Sequence, residues 1–138
     1  MSTPEEFLQD LARQAERYRA MTALGEEMVA LLLGDRLNDL PPVMERKSVI
    51  MREIQEIEAR VAPMRRGWAE IRSTLSPEVD RRASQVLLEA RAALEALVAV
   101  ENRAAALLER TRSAASSDLD SLLKRRRLND AYGDKPKP

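Results

Sequence analysis

The chain has 138 residues, with 23 basic and 23 acidic side chains and neither His nor Cys. Ala, Glu, Lys, Leu and Arg make up more than half of it, which is typical of long helices or coiled coils. Aromatic residues are only 3% of the sequence, too few to fill the interior of a β-sandwich or barrel. We therefore expect a single all-α domain.

The lack of His and Cys restricts the chemistry that the chain can support. It removes disulfides, thiolate and imidazole metal ligands and the usual general base. The glycines are isolated, so there is no glycine-rich phosphate loop. Glu53, Glu56 and Glu58 are expected to point outward from a helix, in solvated ion pairs with Arg52 and Arg60. We expect no enzymatic activity, no metal and no cofactor.

Charge and hydropathy predict the location of the protein. No apolar run approaches the roughly 18 residues of a membrane-spanning helix, and the first segment is acidic where a signal peptide would be basic. We expect a cytoplasmic protein without membrane insertion. The one dense basic run, Lys124–Arg127, is interpreted as a solvated helix end, where cations suit the helix dipole. Contact with a membrane surface or nucleic acid stays the weaker alternative, and a pI near 6.4 counts against nucleic acid.

The first predicted helix begins after Thr3, because Thr-Pro-Glu-Glu is a capping-box pattern with Pro4 where no N–H is needed. Gly34 is predicted to end it in a left-handed conformation. Gly25, inside the helix, indicates either close packing of a neighbouring helix or a soft spot. Apolar residues recur at helical spacing and predict a buried stripe formed by Phe7, Leu11, Tyr18, Met21, Leu24, Met28 and Leu31.

The second predicted helix follows Asp39 as N-cap, with Pro41 and Pro42 in its first turn. Its apolar residues alternate in steps of four and three, which predicts a heptad seam. Pro63 is expected to bend this helix or divide it into two stacked segments. Trp68 lies on the seam, which favours a buried core role. The seam consists of Val43, Lys47, Ile50, Ile54, Ile57, Val61, Met64, Trp68, Ile71 and Leu75.

The third predicted helix starts at Pro77 with Ser76 as its cap and runs to about Tyr132. Serines between Ser113 and Ser117 weaken the helical pattern and predict a hinge. Its inward-facing residues are predicted to be Val79, Ala83, Val86, Ala90, Leu94, Leu97, Ala104, Leu108, Leu119 and Leu122.

Short connections force neighbouring helices to run antiparallel, so we expect an antiparallel three-helix bundle, or coiled coil, of long helices. The third helix is too long to be covered by the other two. Residues 1–112 are therefore predicted to form the bundle, 113–132 a projecting C-terminal helix of the same domain, and 133–138 a disordered tail. A projecting helix that still carries leucines without a partner is a candidate binding element.

The order of these features resembles the FlgN family of flagellar export chaperones, with the FliT-type chaperones next. The similarity lies in the Leu-Leu-Leu-Gly-Asp end of the first helix, the Glu45-Arg46-Lys47 stretch that opens the heptad helix, and the closing Tyr132-Gly133. The resemblance implies a cytosolic type III export chaperone. Such a protein binds the C-terminal helical segments of secreted hook-filament junction proteins and delivers them to a membrane protein of the export gate.

The resemblance also implies roles for individual residues. The C-terminal helix would provide the client surface, here Leu108, Leu119, Leu122 and Leu123, and Tyr132 would dock on the export gate. The alternative is a structural homo-oligomeric coiled-coil protein, whose long helices pair with themselves along the same seam. Self-association into a homodimer stays open in either case.

Overall fold

The computed structural model describes residues 3–132, and these form an all-α helical bundle without a strand. The helices are α1 (Pro4–Leu33), α2 (Leu40–Arg66), α3 (Trp68–Arg72) and α4 (Pro77–Tyr132), with a short 3₁₀ turn at Leu37–Asp39. Within this range, every helix is too short or too polar to cross a lipid bilayer. The predicted tail, 133–138, lies outside the described residues.

The start of α1 confirms the predicted cap, because the amide of Glu6 donates to Thr3 Oγ1 at 3.2 Å. Its end differs from the prediction. Gly34 has an ordinary negative φ of −87°, and the left-handed residue is Asp35, with φ 54°. Asp35 N–H donates to the Leu32 carbonyl, and Arg36 N–H to that of Leu31. This is the Schellman pattern displaced by one residue, which is possible because Asp tolerates the left-handed region.

The start of α2 has Pro41 and Pro42 in its first turn, as expected. Asp39 occupies the predicted N-cap position, but its side chain makes no capping hydrogen bond. It pairs instead with Arg36, whose Nη2 lies 2.7 Å from Asp39 Oδ2.

The helix that carries the heptad seam is interrupted at Gly67, four residues after Pro63, where the break was expected. α2 continues as a helix through Pro63, ends at Arg66, and is followed after Gly67 by the short α3. Trp68, the first residue of α3, is half-buried rather than fully buried. Its ring lies 5.0 Å from that of Phe7, centroid to centroid, so it covers the N-terminal end of α1.

α4 begins as predicted, with the amide of Val79 donating to Ser76 Oγ at 3.3 Å. It is a continuous helix of 56 residues through Ser113–Ser117, so the predicted hinge does not interrupt it. Three residues assigned to the inward-facing side are exposed: Leu94 at 42%, Leu119 at 57% and Leu122 at 60%. Within the packed part of α4 the exception is Leu94, where the neighbouring Ala93 is buried in its place. The small Ala93 lets α4 approach the other helices closely, and Leu94 is turned toward the edge of the contact.

The packing places α1 against both α2 and α4. Ion pairs join Glu27 to Arg46 and Asp10 to Arg60, so α1 and α2 run in opposite directions. The predicted α1 stripe is buried throughout, and Ile54, Ile57 and Val61 of α2 are buried beneath it. The core divides along its length into three apolar clusters.

Candidate helix-docking surface

The last third of α4, up to residue 131, is exposed to solvent along its whole length. Every residue from 112 to 131 is exposed, whereas Thr111, the residue before them, is still half-buried. Four leucines in this distal segment, residues 112–131, show much of their surface: Leu119 is 57% exposed, Leu122 60%, Leu123 41% and Leu128 57%. The segment spans about 30 Å at 1.5 Å per residue.

Three of these leucines continue the face that α4 uses to pack in the bundle. Leu122 follows the buried Ala104 by about five complete turns, at about 3.6 residues per turn, and Ala115 follows the buried Leu97 by the same number. Leu119 and Leu123 lie on the same side, within about one residue's rotation of Leu122 and Ala115. We call these four side chains, Ala115, Leu119, Leu122 and Leu123, the distal stripe. The apolar pattern of the α4 core face thus continues into the exposed residues.

Leu128 does not belong to the distal stripe. It follows Leu119 by about two and a half turns, which places it on the opposite side of α4. It is nevertheless exposed to the same degree as Leu119, at 57%. The two residues therefore form a natural pair of test and control positions.

The remaining predicted site residues fall in different surroundings. Leu108 lies three turns before Leu119 on the same side of the helix, but it is half-buried against the cluster of Leu31, Leu32 and Val43. It marks the junction between bundle and stripe. Tyr132 is the last residue of α4, and its side chain lies outside the described part of the chain.

The basic run Lys124–Arg127 is exposed, as expected, but it does not lie at the helix end. The last turn of α4 contains no basic residue. Four consecutive helical residues point in all directions around the axis, so this run surrounds the helix just after the distal stripe.

One polar contact between α1 and α2 was not predicted from the sequence. Gln14 is only 1% exposed, and its Nε2 donates to Glu58 Oε2 at 2.7 Å across α1 and α2. The guanidinium of Arg65 also donates to Glu58, and this hydrogen bond, more than the one from Gln14, lowers the pKa of that carboxyl. Burial, and next the Glu58 charge, raise the pKa of the neighbouring Tyr18. These side chains line a cleft of about 410 Å³.

Two of the three α2 carboxylates form partly solvated ion pairs, with Glu53 43% and Glu58 41% exposed, but these two do not point straight outward. Glu58 turns toward α1, and Glu53 accepts from Arg17 of α1 at 3.4 Å, while Glu56 is exposed. Glu53 and Glu58 flank the apolar seam closely enough to reach across to the neighbouring helix. A signal for Gln14 was available, because it fills the gap between Leu11 and Tyr18 in the α1 stripe at helical spacing.

The charged seam residue, Lys47, links α2 to α4. Its Nζ lies 2.8 Å from Oε1 and 2.9 Å from Oε2 of Glu101, and 3.8 Å from Met28 Sδ. The Lys47 side chain is only 13% exposed and that of Glu101 is 35% exposed, so the pair is partly shielded from water.

Comparisons of this chain with protein-family models, with curated proteins and with solved structures find no match.

Proposed function

We propose that the protein is a cytosolic export chaperone of the flagellar type III secretion system, built as an antiparallel three-helix bundle with a projecting C-terminal helix. Its client is the C-terminal helical segment of a secreted hook-filament junction protein. The client lies along the distal stripe, and Leu108 extends this surface at its bundle end. Tyr132 docks on the export gate in a separate step.

The observation that carries this proposal is the uncovered continuation of the α4 core face. An apolar helix face exposed to water gains free energy when an amphipathic helix covers it, and the client helix gains in the same way. Each fully buried Leu contributes roughly 1.5 to 3 kcal/mol. Three leucines are thus enough for affinity of about the micromolar range after the ordering of the client is subtracted.

The continuous helix through Ser113–Ser117 also supports a docking role. The distal stripe is presented on a pre-formed helix, so only the client has to become ordered on binding. The mainly apolar stripe has polar residues on both flanks, which is the pattern of a groove-binding or pairing helix rather than of a solvated one.

Isothermal titration against the C-terminal segments of hook-filament junction proteins tests the proposal. Leu119→Ala combined with Leu122→Ala should weaken binding by about 10-fold or more, because two buried leucines are truncated. Leu128→Ala is the matched control, equally exposed but on the opposite face, and should bind like the unmutated protein. Absence of binding by the unmutated protein would end the chaperone proposal.

The role of Tyr132 is tested separately. Tyr132→Ala should leave client affinity unchanged and reduce binding to the export gate. An equal loss of client binding in Tyr132→Ala and in the double leucine variant would contradict two separate roles.

A further inference from the structure

We propose that two copies of this chain associate through residues 112–131 of α4, as an antiparallel helix pair in which Leu119 of one copy packs on the partner's Leu122. The proposal concerns the protein without any client and is tested on the protein alone. In this proposal, the distal stripe is covered by a second copy of the chain when no client is bound.

The stripe has the spacing of a short coiled-coil seam. Arg112, Leu119 and Arg126 repeat every seven residues, and Ala115, Leu122 and Asn129 form the second set of the heptad. Residues 112–131 are all exposed, so the residues of both sets are accessible to a partner helix along the whole distal segment. The seam is apolar at its centre and carries one Arg toward each end.

The seam charges select the direction of pairing. In a parallel pair, Arg112 and Arg126 would each meet their own copy in the partner, which places like charges together in the seam. In the antiparallel pair the first set meets the second set in reverse order. Arg126 then lies beside the partner's Ala115, and Arg112 beside the partner's Asn129, so no cation in the seam opposes another.

The flanking charges match the same arrangement. Asp118 and Arg125 each lie one residue before a member of the first set, Leu119 or Arg126. In an antiparallel pair, residues at this heptad position face the same heptad position of the partner. Asp118 therefore faces the partner's Arg125, and the two-fold axis repeats this pair. Both side chains are exposed, and among the side chains that the structure describes neither has an ion-pair partner.

The lengths agree as well. With Leu119 opposite the partner's Leu122, residue 129 of one copy lies beside residue 112 of the other. The last residue of α4, Tyr132, then lies beside residue 109 of the partner, less than one turn past Thr111, the last residue with partial cover. The pairing therefore covers the whole uncovered segment, and each helix end passes the edge of the partner's bundle by only three residues.

Sedimentation velocity over a concentration series tests the association. The unmutated protein should show a reversible monomer–dimer equilibrium. Asp118→Arg alone and Arg125→Asp alone should each weaken the dimer by about 10-fold, because each change turns two attractive pairs into repulsive ones. The double variant restores both pairs with exchanged signs and should dimerise within about 3-fold of the unmutated protein.

Asp120→Arg is the matched control, since it makes the same charge change on a side chain that points away from the seam, and it should have little effect. A protein that stays monomeric throughout, or an Asp118→Arg variant that behaves like Asp120→Arg, overturns the proposal. A double variant no better than Arg125→Asp alone would indicate a parallel pair and overturns it too.

Thiol cross-linking provides a second measurement, which the absence of native Cys makes clean. Arg112→Cys and Asn129→Cys should cross-link to each other when mixed, and neither should cross-link efficiently alone. Efficient cross-linking of Arg112→Cys with itself would overturn the antiparallel arrangement. All these substitutions lie outside the packed bundle, so the fold is preserved. Client binding is measured separately, so failure of the dimer leaves the chaperone proposal intact, and the reverse also holds.

Discussion

A Cβ atom built on Gly25 of α1 would lie 2.8 Å from Cγ1 of Val100 on α4, closer than packed side chains approach. Of the two alternatives that the sequence left open for Gly25, close helix packing is the correct one. The glycine lets two helices of the same direction meet at their backbones, since the Glu5–Arg82 ion pair also joins them near their starts.

Gly25→Ala should therefore destabilise the protein, although Ala favours a helix interior by about 1 kcal/mol over Gly. The valine side chain is stiff and cannot turn away, so overpacking should cost about 1 to 3 kcal/mol and outweigh that gain. Urea denaturation measures the change. Val100→Ala introduced together with Gly25→Ala should remove most of the loss, because it removes the clashing methyl group.

Gly67→Ala is the control for the Gly25 prediction. Its new Cβ would meet only Ile71 Cδ1 at 3.9 Å, and Gly67 has an ordinary φ of −96°. Its stability should stay the same or rise by about 0.5 kcal/mol. Equal losses at both glycines would contradict the explanation by close approach.

The Lys47–Glu101 pair should couple α2 to α4. Lys47→Met leaves a carboxylate whose Oε1 is buried without its cation, so it should lower stability by about 1 to 3 kcal/mol. Adding Glu101→Leu should recover most of this loss, since an apolar pair of similar volume replaces the charges. Thermal denaturation of both variants checks the coupling. Arg91→Ala breaks an exposed pair with Glu95 and should change stability by less than about 0.5 kcal/mol.

Glu58 should make the protein less stable in acid. Because the Arg65 hydrogen bond lowers the pKa of Glu58 in the folded state, its stabilisation is present above the unfolded value of 4.5. It is lost as the pH falls through the lower, folded pKa. Glu58→Gln should therefore show a smaller fall in stability between about pH 5 and pH 3 than the unmutated protein. Glu56→Gln, at an exposed carboxylate of the same helix, should follow the unmutated curve, and similar curves for both variants would contradict the role of Glu58.

Helical spacing predicted most of this fold because the core is a narrow seam. Every member of the predicted α1 stripe is buried, and Ile54, Ile57 and Val61 of α2 are buried as well. Periodicity reports which side of a helix is apolar, and the caps at Thr3 and Ser76 add local hydrogen bonds that depend on neighbouring residues only.

The details that the sequence did not predict depend on contacts between distant segments. Gln14 is buried because Glu58, far along the chain, accepts its hydrogen bond. Whether α2 ends at Pro63 or at Gly67 depends on a small difference in local free energy that tertiary packing can decide. The exposure of Leu119 and Leu122 was easier to predict, since it follows from the length of α4 relative to the other helices.

Residues after Thr111 should be dispensable for folding. Ending the chain there removes a segment whose side chains are all exposed, so few contacts with the core are lost. The melting temperature should change by less than about 2 °C, and amide exchange within 112–131 of the full chain should be far faster than within Ile54–Val61. The shortened protein should also lose self-association and client binding. Its circular dichroism spectrum should still be that of a folded helical bundle. A drop of more than about 5 °C, or slow exchange around Leu122, would instead place the distal segment in the cooperative core.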